Sequence, residues 1–233
     1  MAFEQLKERV WRANQGLIEN DLVILSWGNA SGIDRSAGVM AIKPSGVPYN
    51  KLRVEDIVVL SLATGEVVEG KARPSSDTAT HLHLYRAFPT IGGVVHAHSV
   101  YATAFAQSGR ELPCLGTTHA DTFYGTVPLT RQLTPQEIAD DYELNTGKVI
   151  EETFRTRKLN PDQIPAVLVV GHGPFAWGPT TEKALENAFI LEKVAMMAIN
   201  TYRVCPEAKP IPQELLDKHF LRKHGPTAYY GQR

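Results

Sequence analysis

Apolar positions near the start of the chain recur at helical spacing. Leu6, Val10, Ala13 and Leu17 lie on one stripe of a 3.6-residue period, which predicts an amphipathic helix closing near Asn20. The pattern then shortens. Leu22–Trp27, Val39–Ile42 and Ile57–Leu62 are brief β-rich runs separated by Gly, Pro and Asn, and they predict strands. Thr64-Gly65 predicts a tight turn, with Val67-Val68 returning as a hairpin. Ser75-Ser76-Asp77 precede a helix over Thr78–Phe88, and Gly93–His98 reads as a strand running into a helix near Tyr101–Gln107. Thr134-Pro135-Gln136-Glu137 has the form of a capping box at a helix start. Val167–Val170 predicts another strand. Helices follow over Thr180–Tyr202 and Pro212–His224, the last stopped by Gly225.

No repeat, low-complexity stretch or linker interrupts the chain. The early strands follow hairpin-like turns, so the expected fold is a largely antiparallel sheet covered by helices, of α+β type, in one domain over residues 1–233. A chain of 233 residues, 43% of them hydrophobic, has enough apolar surface for one such core. The net charge of −1 offers no electrostatic footprint for nucleic acid or an anionic membrane. No apolar run approaches the roughly 18 residues of a membrane span, and Met1-Ala2-Phe3-Glu4 does not open a signal peptide. Cys114 and Cys205 are far apart with no CxxC, which fits a reducing compartment, so the Asn29-Ala30-Ser31 sequon is not expected to carry a glycan. The expectation is a soluble, cytoplasmic protein without nucleic-acid or membrane partners.

Chemistry concentrates in the histidines. On a strand, His96 and His98 point to the same face and can hold one ion together. His81 and His83 have the same spacing but fall in a predicted helix, where residues two apart diverge by about 200°. His172 stands between two glycines after a strand, a setting that leaves its ring exposed at a sheet edge. Three neutral imidazoles with one further ligand make a metal site, catalytic if one coordination position stays open. Asp77 is either that ligand or simply a helix cap.

Two loops, Lys43-Pro44-Ser45-Gly46 and Pro74-Ser75-Ser76, offer hydroxyls and N–H groups to an anion, although either is also an ordinary turn. Ser26-Trp27-Gly28-Asn29 is a turn of the same ambiguous kind. Asp121, in Gly116-Thr117-Thr118-His119-Ala120-Asp121, is an acid/base candidate. Tyr229-Tyr230-Gly231 lies at a chain end, so a functional tyrosine there needs something to hold it, such as a neighbouring subunit.

Taken together and in order, these segments resemble the L-ribulose-5-phosphate 4-epimerases, relatives of the class II aldolases. The resemblance is carried by Ser26–Asn29, Lys43–Gly46, Pro74–Thr78, His96–Ser99, Gly116–Asp121, Gly171–Gly178, Asp217–His219 and Tyr229–Gln232, and it runs essentially the whole chain. It implies a three-layer fold, an antiparallel sheet between helical layers. It implies one zinc ion per chain at Asp77, His96, His98 and His172, and a pentulose 5-phosphate substrate gripped by Gly28, Asn29, Ser45, Gly46, Ser75 and Ser76. Asp121 and Tyr230 match the family's two acid/base groups. Tyr230, on a tail of residues 225–233, is implied to come from an adjacent subunit of a homotetramer. Lys43 and His219 match supporting polar positions. The implied reaction interconverts L-ribulose 5-phosphate and D-xylulose 5-phosphate at C4 by retro-aldol cleavage and rejoining. Two alternatives share the fold: a fuculose- or rhamnulose-phosphate aldolase, which would place Glu where this chain has Asp77, and a non-catalytic module like the adducin head, which would lack the three histidines.

Overall fold

The sheet is built from β1 (Asn29–Asp34), β2 (Val39–Ile42), β3 (Val58–Ser61), β4 (Val67–Glu69), β5 (Gly93–His96), β6 (Ala166–Val169) and β7 (Gly173–Gly178). In the computed structural model, which describes residues 3–226, 228 and 229, these strands form one sheet in the order β4-β3-β2-β1-β5-β7-β6. Every neighbouring pair is antiparallel. The helices are α1 (Glu4–Glu19), α2 (Thr78–Ala87), α3 (Val100–Ser108), α4 (Thr117–Ala120), α5 (Pro135–Asp140), α6 (Tyr142–Arg157), α7 (Thr181–Val204) and α8 (Gln213–His224).

Alternation along the strands gives the sheet two buried faces. Val95 and Ala176 pack with Ala13 and Leu17 of α1, Phe105 of α3 and Leu191 of α7. Val94, Phe175 and Trp177 point the other way, into a cluster with Leu84 and Tyr85 of α2 and Ile150 and Phe154 of α6. The result is the expected three layers, helix over sheet over helix. Polar side chains fix two of the contacts. Asn14 of α1 donates to Ala30 O and accepts from Ala30 N on β1, pinning the helix edge to the sheet. Buried Glu192 of α7 accepts from Tyr101 N and Ala102 N at 2.9 Å each, so its carboxylate caps the N-terminus of α3.

Several elements depart from the pattern-based expectation. Leu22–Trp27 is not a strand. Asp21 and Leu25 both sit at φ 55, Trp27 N bonds back to Ile24 O, and Leu25 is left exposed. This tight double turn delivers Gly28 to the start of β1. The strand predicted over Gly93–His98 ends at His96. Three elements carried no readable apolar period. β1, with sequence NASGID, is central to the sheet because its small residues admit the helices: a Cβ on Gly32 would collide with Thr181 Oγ1. β7, GPFAWG, is buried along its whole length, so it shows no alternation. Helix α6 buries Asn145, Thr146, Gly147 and Thr153 beside Val149, Ile150 and Phe154, and its inner face therefore looks polar in sequence.

The N-terminus of α7 lies directly on β5. A Cβ on Gly93 would stand 2.5 Å from Thr181 Cα and 2.7 Å from Thr180 O, both backbone atoms that cannot rotate away. Gly93→Ala is expected to lower stability by about 1–3 kcal/mol or more through overpacking. A fall in the urea midpoint at unchanged slope is the signature, and an unchanged midpoint would refute this packing account.

Candidate active site

The pairing of β5 with β7 sets His96 opposite Phe175, so the C-terminal end of β5 lies beside the turn that enters β7. That turn places Gly171 at φ +69, a conformation suited to glycine, and His172 follows with its N–H on Val169 O. His96, His98 and His172 therefore converge. Their ring centroids are 4.9 Å (96–98), 4.7 Å (96–172) and 5.1 Å (98–172) apart. His96 Nε2 lies 3.1 Å from His98 Nε2. One nitrogen from each ring falls within 4.8 Å of the others, and among the described residues no other set of His, Cys, Asp or Glu does this.

The outer bonds of the triad set its chemistry. Pro174 O, which can only accept, lies 3.0 Å from His96 Nδ1, so that nitrogen carries the proton and Nε2 presents a lone pair. His96 also lies flat on Phe175, with centroids 4.2 Å apart. Burial pushes His172 down to about 3 and lowers His98 from the ordinary histidine range, with the neighbouring rings adding to both shifts and Asp77 opposing them. Three imidazoles converging on one point suit a divalent cation that accepts nitrogen ligands. His81 and His83 diverge, as their helical spacing requires. His81 is fully buried against Ser31 Oγ at 2.7 Å, and His83 pairs with Glu151 at 2.7 Å.

Asp77 stands at the N-cap of α2, yet its side chain makes no capping bond. Its Oδ2 instead accepts from Asn29 Nδ2 at 2.6 Å, and Asn29 also donates to Ser75 Oγ at 3.1 Å. Burial acts to raise the Asp77 pKa, but His96, His81, the Asn29 bond and His172 outweigh it, holding the carboxyl below its usual range. Asp77 lines the same cavity as the three histidines while lying outside their tight nitrogen cluster.

This cavity, of about 630 Å³, also collects the predicted loops. Ser45 N bonds to Arg73 O and Ser75 N to Lys43 O, so the two hydroxyl-bearing loops are zipped side by side. Gly46 turns at φ +69 at the rim. Gly28, at φ +107, has no room for a Cβ, which would meet His96 O at 2.9 Å. Lys43, in the first of these loops, is buried with Nζ 4.8 Å over the Tyr49 ring, and burial lowers its pKa to about 8. Gly28, Asn29, Lys43, Ser45, Gly46, Ser75, Ser76 and Asp77 thus share one cavity with the three histidines.

Asp121 and His219 do not line this cavity. Asp121 follows α4 and faces α8, with His219 Nδ1 at 2.9 Å, Arg222 Nη2 at 3.1 Å and Lys223 Nζ at 3.2 Å. Hydrogen bonds from these three hold its carboxyl below the usual range against a raising contribution from burial. Tyr230 lies outside the described residues. Two cavity residues escaped sequence reading, Tyr142 and Glu143, because α6 did. The signal that would have found them is Asp141, whose side chain accepts from Leu144 N as a helix N-cap.

The profile of the family described as Class II Aldolase and Adducin N-terminal domain matches residues 8–199. L-ribulose-5-phosphate 4-epimerase UlaF of Salmonella paratyphi B (strain ATCC BAA-1250 / SPB7) is 52% identical over 230 residues, 99% of this chain and 100% of its own length. The enzyme of the same name from Salmonella typhi is also 52% identical, over the same shares of both chains. Among solved structures, an L-fuculose 1-phosphate aldolase superposes with a TM-score of 0.78 at 27% identity, covering 92% of this chain and 94% of its own. The antiparallel sheet between helical layers, the histidine cluster at the C-terminal end of β5 and these matches together place the chain in the class II aldolase and adducin N-terminal domain family.

Proposed function

We propose that this protein is a zinc-dependent L-ribulose-5-phosphate 4-epimerase, interconverting L-ribulose 5-phosphate and D-xylulose 5-phosphate. The observation that carries the reading is the sharing of one cavity by the triad His96, His98 and His172 and the two zipped loops at Ser45-Gly46 and Ser75-Ser76. Identity of 52% over the full length of enzymes with that name supports the choice of reaction.

The chemistry dictates what the residues must do. The hydrogen on C4 of the ketose is not adjacent to the C2 carbonyl, so direct deprotonation cannot invert that centre. C4 is β to the carbonyl, however, and removing the proton of its hydroxyl allows the C3–C4 bond to break. The electron pair passes to the three-carbon fragment as an enediolate, and glycolaldehyde phosphate is released beside it. Rotation of this aldehyde and attack on its other face re-form the bond with C4 inverted. His96, His98, His172 and Asp77 would hold a divalent cation, which would supply Lewis acidity for the charge that builds on the carbonyl as the bond breaks. Ser45, Gly46, Ser75 and Ser76 hold the phosphate, Gly28 and Asn29 contact the sugar, and buried Lys43 supports the loops. An anchored phosphate lets the aldehyde turn without escaping.

Each face of the aldehyde needs its own proton donor and acceptor. Asp121 and Tyr230 fill these roles. Asp121 sits away from its own chain's cavity, so it reaches substrate only in a neighbouring copy, with His219 orienting it. The tail of residues 225–233 brings Tyr230 to the neighbour in the same way, and the working assembly is a homotetramer of single-domain chains in the cytoplasm. The fold likeness to an L-fuculose 1-phosphate aldolase supports a second reading, cleavage with release of the aldehyde. Supplying L-ribulose 5-phosphate and following both products decides between them: D-xylulose 5-phosphate without free aldehyde is expected, and stoichiometric free aldehyde would replace the epimerase by an aldolase.

Three outcomes follow from this assignment. Elemental analysis of His96→Asn protein should find most of the metal gone while the circular dichroism spectrum is kept; full metal content would sink the ligand set. Ser75→Ala should raise KM for the phosphorylated sugar more than it lowers kcat. The loss of one hydrogen bond to a charged group, about 1.5–3 kcal/mol, corresponds to roughly 10–150-fold. Equal use of the unphosphorylated ketose would contradict the phosphate grip. Finally, Asp121→Asn and Tyr230→Phe should each keep the metal and lose activity by about 10²–10⁴-fold. Mixing either with inactive His96→Asn protein should restore partial activity after subunit exchange, since hybrids join an intact triad to an intact acid/base pair. Proven exchange with no recovery would return these residues to their own chain or remove them from the reaction.

A further inference from the structure

The three triad histidines are held in unequal ways. His96 is fixed twice, by its bond to Pro174 O and by stacking on Phe175. His172 has glycine on both sides, so no adjacent side chain restrains its ring. The group that meets its outer nitrogen is Tyr142, whose hydroxyl lies 3.2 Å from His172 Nδ1, with the two rings 5.9 Å apart.

Tyr142 is itself well anchored. It begins α6, where Asp141 caps Leu144 N and Asn145 Nδ2 donates to Glu137 O in α5. Thr80 Oγ1 in α2 donates to Glu143 O, tying the same turn to the helix that carries Asp77 at its start. The hydroxyl therefore has a fixed position on a firm support.

We propose that Tyr142 is the positioning residue for His172: its hydroxyl oxygen accepts the Nδ1 proton, which fixes the ring's orientation and tautomer and aims the Nε2 lone pair at the point His96 and His98 share. The inference rests on the metal-site reading given above and assigns to α6 the task that Pro174 O performs for His96. Partners of this kind, one bond behind a metal-ligating imidazole, typically govern affinity by about 10–100-fold. They do so because a ring free to rotate, or in the other tautomer, must be reordered at each binding event.

The test compares full-length parent, Tyr142→Phe and His172→Asn proteins by zinc competition against a chromophoric chelator, with thermal melting of the metal-free forms alongside. Phenylalanine keeps the ring and removes only the hydroxyl. Tyr142→Phe is expected to bind zinc about 10–100-fold more weakly while its metal-free melting temperature stays at the parental value. Where the substitution also lowers metal-free stability, the zinc-induced rise in melting temperature, taken from each protein's own metal-free state, gives the same comparison. Parental affinity in Tyr142→Phe together with loss in His172→Asn would overturn the positioning role alone. Parental affinity in both would overturn the metal site, and the inference with it.

Discussion

The antiparallel pairing of β5 with β7 is the contact on which the site depends. Its register sets His96 across from Phe175, and the turn into β7 brings His172 within 4.7 Å of the His96 ring. A slip of one residue would turn His96 to the opposite face of the sheet. It would also break the bond from His96 to Pro174 O and the stack on Phe175. The glycines around this pair serve the same register. Gly93 and Gly178 let the N-terminus of α7 lie on the strands, and Gly28 lets β1 begin against the backbone of His96. Close backbone approach, in other words, is what holds three histidines from two distant segments in one place.

Burying so many polar groups at the end of an interior strand is costly, and each cost is offset locally. Burial and repulsion from the neighbouring rings disfavour protonation of His98 and His172. Asp77 stays ionised although buried, since Asn29 donates to it and the histidines lie near. Lys43 sits over Tyr49 and donates to Pro44 O at 3.3 Å, where desolvation weakens its hold on a proton. Desolvated groups in a cavity feel one another, and bound ligands, more strongly than they would in water.

The second polar cluster has a different character. Asp121 is surrounded by His219, Arg222 and Lys223 on helix α8, a short way from the chain's end and outside the triad's cavity. Helices α4 and α8 pack through Ala120, Leu216 and Cys114 in a small cluster of their own. The chain therefore carries two chemically distinct polar clusters, one lining a cavity and the other a part-buried carboxylate among basic side chains of α8.

The sequence by itself determined the elements whose apolar residues recur with a clear period or are bounded by strong turn residues. α1, β2, β3, the β3–β4 hairpin, α7 and α8 were legible for that reason, as was the capping box at Thr134 and Glu137. It also set His81 and His83 apart, because residues two apart on a helix diverge, although His98 joins His96 from just beyond the end of β5 and not by strand alternation. The family resemblance, resting on short motifs in a fixed order, carried the fold and the cavity loops further than periodicity did. Only the tertiary structure decided the rest. β1 and β7 are strands because neighbours on both sides pair with them and helices cover them, not because NASGID or GPFAWG prefers extension. Leu22–Trp27 prefers extension and yet turns, since the chain must redirect into β1. Helix α6, and with it the contact of Tyr142 with His172, was hidden because a helix that buries Asn, Thr and Gly shows no apolar stripe. Propensity and period are properties of a segment, whereas which polar groups share a cavity depends on register between segments far apart in the chain, and no local pattern encodes that.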